Sequence, residues 1–201
     1  MKTQPAEPHV THLFRYVIAS ADMYYAEEEQ RDVFLSCDEN ENFRIWGEIT
    51  NQSPSEKIDL FEIFLEYALY CGSWSCAEES LYHMQDFGEC LGRALAKYIK
   101  SAIPPSIPKN MAVQALKHIL KTMDGYPSIE NGGNEVRFIV PDFPLEKAAE
   151  HCGLRNVELA HYGINAMCQS LIKGINPHLT LSASSETRPE FIFTIFTPSF
   201  A

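Results

Sequence analysis

The segment from Ser75 to about Ser101 is the feature that most constrains the fold. Ser75 and Glu78 form a capping box that predicts the start of a helix, and Pro104 and Pro105 forbid its continuation. The polar stripe consists of Asp86, Glu89, Arg93, Lys97 and Lys100, and the opposite stripe of Leu81, Met84, Gly88, Leu91, Leu95 and Ile99. We therefore expect one solvated face and one buried face.

Two glycines stand four residues apart on this helix. Gly88 and Gly92 each cost about 1 kcal/mol relative to alanine in a helix interior. A close backbone approach is the natural compensation. The approaching group is either a neighbouring helix, which is the simpler explanation, or a flat ligand.

The remaining signals predict an α+β fold. Helices are expected over residues 57–70, 111–123 (capped by Asn110), 144–151 and 157–174. Strands are expected at residues 135–140, after the turn-forming ENGGN, and in a closing hairpin of residues 178–185 and 190–196. We expect the helices to pack on one face of a small antiparallel sheet that ends in the C-terminal β-hairpin.

Residues 1–52 differ from the rest in charge. Between Glu27 and Glu41 there are seven acids and one arginine, which indicates a solvated face or an adaptor segment. Residues 12–29 are predicted to be helical, and residues 33–50 permit a hairpin around the Asp/Asn-rich turn. We expect this N-terminal segment and an α+β domain over residues 53–201 to form one compact unit, because no long linker divides the chain.

Composition excludes several classes of function. The formal net charge of −11 disfavours binding to nucleic acid. No window approaches the ~18 apolar residues of a membrane span, and the first twenty residues lack a signal-peptide pattern. The six cysteines are therefore expected to be reduced, and the protein to be cytoplasmic.

The stretch HCGLRNVELAHYGINAMC, residues 151–168, raises the question of a metal site. His161 and Cys168 are seven residues apart, which is about 10.5 Å along a helix axis, so they cannot share one ion. Neither CxxC nor HxxxH occurs. We expect neither zinc nor another metal; a site assembled from distant pieces would draw on weak candidates, namely Cys71, Cys76, His151, Cys152 and His161.

The last predicted helix is depleted in charge. From Leu159 to Ser185 there is no acid and only one base, Lys173, which is typical of a core or a subunit contact. Its face contains Ala160, Ile164, Met167, Cys168 and Leu171. Small, soft side chains of this kind either fill a core or line an apolar cavity.

The order of elements and several short motifs resemble a known family. The segments FGECLGRALAKYI, VRFIVPDFP, HCGL, LAHYGINAMCQSLIKGI and HLTLSASSETRPEFIFTIF, over roughly residues 86–197, are similar to the 4-vinyl reductase domain, which is related to subunits of the transport protein particle (TRAPP). The resemblance implies an α+β fold, a homodimer and a hydrophobic small molecule in an apolar pocket. Many members carry two cysteines in the last hairpin, whereas this chain has SASSETRPEFIF and no cysteine after Cys168.

The resemblance also implies where a ligand would lie. The pocket would be lined by Phe87, Leu91, Leu95, Ile164, Met167, Cys168 and Leu171, with His161 beside it. Bacterial members of the family are linked to tetrapyrroles, hydrocarbons and ligand sensing. If a haem or bilin is bound, His161, His83 or a cysteine is the natural ligand or attachment point.

We therefore predict a non-catalytic small-molecule-binding protein that acts as a sensor, carrier or adaptor. Its ligand would be lipid-, hydrocarbon- or tetrapyrrole-like. Two alternatives stay open. One is an enzyme that uses a Cys/His pair or a metal on a small molecule, and the other is a dimerising adaptor without a ligand, whose acidic N-terminal segment meets a protein partner.

Overall fold

The helices and strands follow the α+β pattern. The computed structural model describes residues 27–37, 41, 44–45, 48, 60–72, 77–102, 108–123, 125–141, 143, 145–187 and 190–198. The helices are α1 (Glu28–Ser36), α2 (Leu60–Gly72), α3 (Ala77–Ala102), α4 (Pro108–Thr122), α5 (Leu145–Cys152) and α6 (Val157–Ile175). The strands are β1 (Ser128–Asn131), β2 (Glu135–Val140), β3 (Thr180–Thr187) and β4 (Glu190–Phe196). The α+β class and the closing hairpin, β3–β4, are confirmed.

The four strands form one antiparallel sheet in the order β1-β2-β4-β3. In β2, Val136 and Phe138 are buried while Arg137 between them is exposed, as the two-residue period of a strand requires. Phe138 pairs with Phe193 of β4, and Val136 pairs with Ile195. The paired positions put these apolar side chains on one face, which joins the helices in a single hydrophobic core.

The two longest helices, α3 and α6, pack side by side at the centre of the fold. Gly88 of α3 lies against Gly163 of α6, and Gly92 lies against Met167. Further along, Gly174 lies against Ala96. The residue numbers of the contacting positions increase together along the two helices, so α3 and α6 run in the same direction.

The predicted helix boundaries are close to the observed ones, and their causes are visible. α6 begins as expected after Asn156, whose Oδ1 accepts a hydrogen bond from the Glu158 backbone N–H at 3.2 Å. α5 ends before Gly153, which adopts a φ of +76° that favours glycine. α4 begins at Pro108, two residues before the predicted cap at Asn110, because proline at the first position loses no hydrogen bond.

Two local expectations differ from the structure. The hairpin over residues 33–50 is wrong in its described part, because Val33–Ser36 form the end of α1 and Glu41, Arg44, Ile45 and Glu48 are helical. The second difference is β1, a strand that was not expected from the sequence. The helix expected over residues 12–29 lies almost entirely outside the described residues.

Tertiary contacts explain the helical form of α1. Phe34 is buried in the core, and the Lys97 Nζ of α3 donates a hydrogen bond of 2.7 Å to the Leu35 carbonyl near the end of α1. A lysine there satisfies a carbonyl that the helix itself leaves unpaired. In the described ranges, no helix is both long enough and apolar enough to cross a membrane.

Candidate functional site

The glycines of α3 are covered by a neighbouring helix. A Cβ atom at Gly88 would overlap the Gly163 carbonyl oxygen and come within 3.0 Å of the Ala166 Cβ. At Gly92 it would come within 2.7 Å of the Ser170 Cβ. The backbones of α3 and α6 are therefore in direct contact along this stripe, so the group that approaches the two glycines is a helix and not a flat ligand.

A polar contact adds to this helix pair. The Ser170 Oγ of α6 donates a hydrogen bond of 3.1 Å to the Glu89 carbonyl oxygen of α3. Serine is small enough to permit the close approach and also supplies a donor for the carbonyl. The contact therefore sets the relative position of the two helices along their axes.

The residues expected to line a pocket between these helices are all core residues. Phe87, Leu91, Leu95, Ile164, Met167, Cys168 and Leu171 are each at most 2% exposed and belong to the same hydrophobic cluster. Phe87 packs against Phe64 and Tyr67 of α2, with ring centroids 5.5 Å and 4.3 Å away. The structure therefore brings these predicted site residues together as packed core.

His161 is placed differently from the other predicted residues. It lies in the second turn of α6, half-buried, and its ring is parallel to that of Phe191 on β4, at a centroid distance of 4.6 Å and an angle of 2°. Phe143 lies 6.5 Å from His161 and 5.3 Å from Phe191. Together with Phe193, at 5.7 Å from Phe191, these rings form what we call the aromatic cluster.

The four rings of the aromatic cluster differ in solvent exposure. Phe193 is fully buried and Phe143 nearly so, whereas His161 and Phe191 are only partly covered. The outer pair therefore offers ring surface at the boundary between the core and solvent. An imidazole stacked on a phenyl ring combines an apolar face with polar nitrogen atoms.

Asn165 adds a polar atom next to the cluster. It lies four residues after His161, and hence on the same side of α6. Its Oδ1 is buried and has no hydrogen-bond partner among the residues described. A buried acceptor without a donor costs about 1–3 kcal/mol, so a group that donates a hydrogen bond here would be stabilised.

The weak metal candidates whose side chains the structure describes lie apart from one another. Cys71 is buried on α2, His151 is exposed on α5, and His161 stacks in the aromatic cluster. The side chains of Cys76 and Cys152 lie outside the described part of the chain. Within that part, no three His, Cys, Asp or Glu side chains are grouped so that they could hold a metal ion.

Burial makes the core thiols poor nucleophiles. It raises the pKa of Cys168 to about 12, from an ordinary value of 9.0. Burial also raises the pKa of Cys90, against the smaller opposing effect of Arg93, and that of Cys71. Since the thiolate is the reactive form, these three cysteines are suited to packing rather than to covalent chemistry.

We expect the stability of the protein to fall between pH 9 and pH 12, because Cys168 keeps its proton in the native state but loses it when unfolded. The contribution is fully present below pH 9 and is lost at about 1.4 kcal/mol per pH unit as the pH rises towards 12. Urea unfolding at about pH 8 and about pH 10 measures it. Between these two pH values the free energy of unfolding of Cys168→Ala should fall by about 1.4 kcal/mol less than that of the wild type. An equal fall in both proteins would contradict the assignment.

No protein-family model matches this chain, and no curated protein matches it either. The resemblance to the 4-vinyl reductase domain therefore stays a prediction.

Three of the four rings of the aromatic cluster, and also Asn165, were not among the predicted site residues. A signal was present for two of them, because the alternation in EFIFTIF puts Phe191 and Phe193 on one strand face. Phe143 stands alone between two prolines, and no pattern links it to α6. Its partners are defined only by tertiary structure.

Proposed function

We propose that this chain is a non-catalytic small-molecule-binding protein whose ligand contacts the outer edge of the aromatic cluster. The observation that carries the proposal is the parallel stack of His161 on Phe191, partly exposed beside Phe143. Such a surface suits a ligand with an apolar, ring-containing body.

The proposed site differs from the one implied by the resemblance. The space beside Gly88 and Gly92 is filled by α6, so a ligand contact is better placed at the start of α6 than between the two helices. His161 is the predicted residue that belongs to both versions. The lipid-, hydrocarbon- or tetrapyrrole-like ligand class, the role as sensor, carrier or adaptor, and the homodimer remain proposals with it.

Native mass spectrometry of the freshly purified full chain, together with its absorption spectrum, tests the proposal. We expect an organic molecule bound to the protein, or added Nile red bound at the aromatic cluster when the purified protein is empty. Phe191→Ala should weaken Nile red binding roughly tenfold, because it removes the ring on which the site is built.

A matched control comes from the same strand. Phe196 is also a half-buried phenylalanine of β4, but its odd spacing from Phe191 puts it on the opposite face of the sheet. Phe196→Ala should leave Nile red binding within about twofold of the wild type, a change of less than about 0.4 kcal/mol. Equal losses in both variants would contradict the site, and a stoichiometric metal without an organic ligand would favour the enzyme alternative.

A further inference from the structure

Two exposed tyrosines lie on the outer side of the α2–α3 helix pair. Tyr70 of α2 is 57% exposed and Tyr82 of α3 is 67% exposed. The Ser80 Oγ donates to the Cys71 carbonyl at 2.7 Å, so the end of α2 is next to the start of α3. Large apolar rings left this exposed on neighbouring helices are typical of interaction surfaces.

Each of the two tyrosines contacts a ring of its own helix. Tyr70 lies 5.9 Å from Tyr67, which packs on Phe87, and Tyr82 lies 5.5 Å from His83. His83 precedes Phe87 by one helical turn, and Tyr70 follows Tyr67 by nearly one turn. The contacts of Ser80 with Cys71 and of Phe87 with Tyr67 show that α2 and α3 run in opposite directions, so Tyr70 and His83 both lie between these two contacts. We call Tyr70, His83 and Tyr82 the tyrosine surface.

The surroundings of the tyrosine surface are strongly acidic. Across α2 and residues 77–92 of α3, the sequence has six acids. Neither α2 nor this part of α3 contains a lysine or an arginine. Glu66 and Glu79 are exposed on the same two helices, and Asp86 is half-buried. The local field therefore attracts cations and repels anions.

We propose that the tyrosine surface is a docking site for a positively charged segment of a partner protein, in which Lys or Arg residues alternate with apolar ones. Cations pack favourably on tyrosine rings, and the surrounding carboxylates steer them there. A second copy of this chain would place six acids against six acids, and nucleic acid would add phosphates, so the local charge repels both. The inference is independent of the proposed ligand site, which lies at the other end of the chain on α6 and β4.

Fluorescence anisotropy with the full chain and labelled synthetic peptides tests the docking site. The probes are an amphipathic peptide of Arg, Leu and Gln, and the same peptide with every Arg replaced by Glu. We expect the cationic peptide to bind, the acidic one not to bind, and the affinity to fall as salt is added. Tyr70→Ser with Tyr82→Ser should weaken binding roughly fivefold to thirtyfold, as expected for two exposed ring–cation contacts.

Tyr126→Ser is the matched control, because Tyr126 is 70% exposed but follows α4 and is not on α2 or α3. It should leave peptide binding unchanged, and thermal unfolding should show that both variants are folded. Equal binding by the double variant and the control would overturn the proposal, as would no binding of the cationic peptide at low salt. A dimer that only the double variant abolishes would also overturn it, since the occupant would then be a second copy.

Discussion

Replacing Gly88 by alanine is expected to destabilise the protein by about 3 kcal/mol, which is the upper end of the usual range for overpacking. The added methyl group would overlap the backbone carbonyl oxygen of Gly163, and a backbone atom cannot turn away as a side chain can. The gain in helix propensity, about 1 kcal/mol, offsets only part of this cost. Urea unfolding measures the difference, and a decrease in Tm of roughly 6–12 °C should accompany it.

Gly133 provides the control for this experiment. A Cβ atom there would have nothing within 4 Å, so Gly133→Ala should change stability by no more than about 0.5 kcal/mol. Gly92→Ala should behave like Gly88→Ala, because its Cβ would overlap the Met167 carbonyl oxygen. If Gly88→Ala were neutral or stabilising, the direct contact between α3 and α6 would be wrong, and the space beside Gly88 would again be open to a ligand.

Replacing Phe87 by alanine is expected to cost about 3–5 kcal/mol, the range for a buried phenylalanine whose cavity cannot collapse. Phe87 has no exposed surface and contacts the rings of Phe64 and Tyr67. Its side chain therefore holds α2 against α3. Chemical denaturation should show a lower midpoint with an unchanged slope.

The same variant distinguishes core from pocket wall. If Phe87 lined an empty pocket, Phe87→Ala would lower the free energy of unfolding by less than it does for a packed core residue. The substitution would then mainly weaken Nile red binding. Tyr82→Ala, on the exposed side of the same helix, should lie within about 0.5 kcal/mol of the wild type. A cost below about 1.5 kcal/mol for Phe87→Ala, well under the range for buried aromatic rings, would support the pocket expected from the resemblance.

Much of the fold could be predicted because its elements carry local signals. The amphipathic stripe and the prolines after it predict the ends of α3 to within about two residues. The pair of glycines on this helix predicts a close contact with another helix. By contrast, β1 has the sequence SIEN, with three of four residues exposed, so nothing local marks it as a strand. It exists through pairing with β2, and such pairing depends on tertiary structure.

The prediction of a hairpin over residues 33–50 was wrong for a related reason. The run VFLS has no alternation of polar and apolar residues. Its conformation is decided by tertiary contacts, because Phe34 is buried in the core and the Leu35 carbonyl accepts a hydrogen bond from Lys97 of α3. The candidate site was predictable only in part. His161 stood out beside an apolar helix face, but its stacking partner, Phe191, is on a strand formed much later in the chain. Residue patterns identify the apolar face of α6, whereas the way in which α6 packs on β4 determines which ring lies against His161.

The pairing of α3 with α6 has a consequence for how the chain folds. The Ser170–Glu89 hydrogen bond joins residues 81 positions apart, so the helix pair cannot form until nearly all of α6 has been made. Closing so long a loop costs entropy before any contact is gained, which slows folding. A chain that emerges from the ribosome N-terminus first must keep the glycine stripe of α3 uncovered through the synthesis of α4, β1, β2 and α5. In that interval, more than in the finished protein, the chain is vulnerable to misassembly.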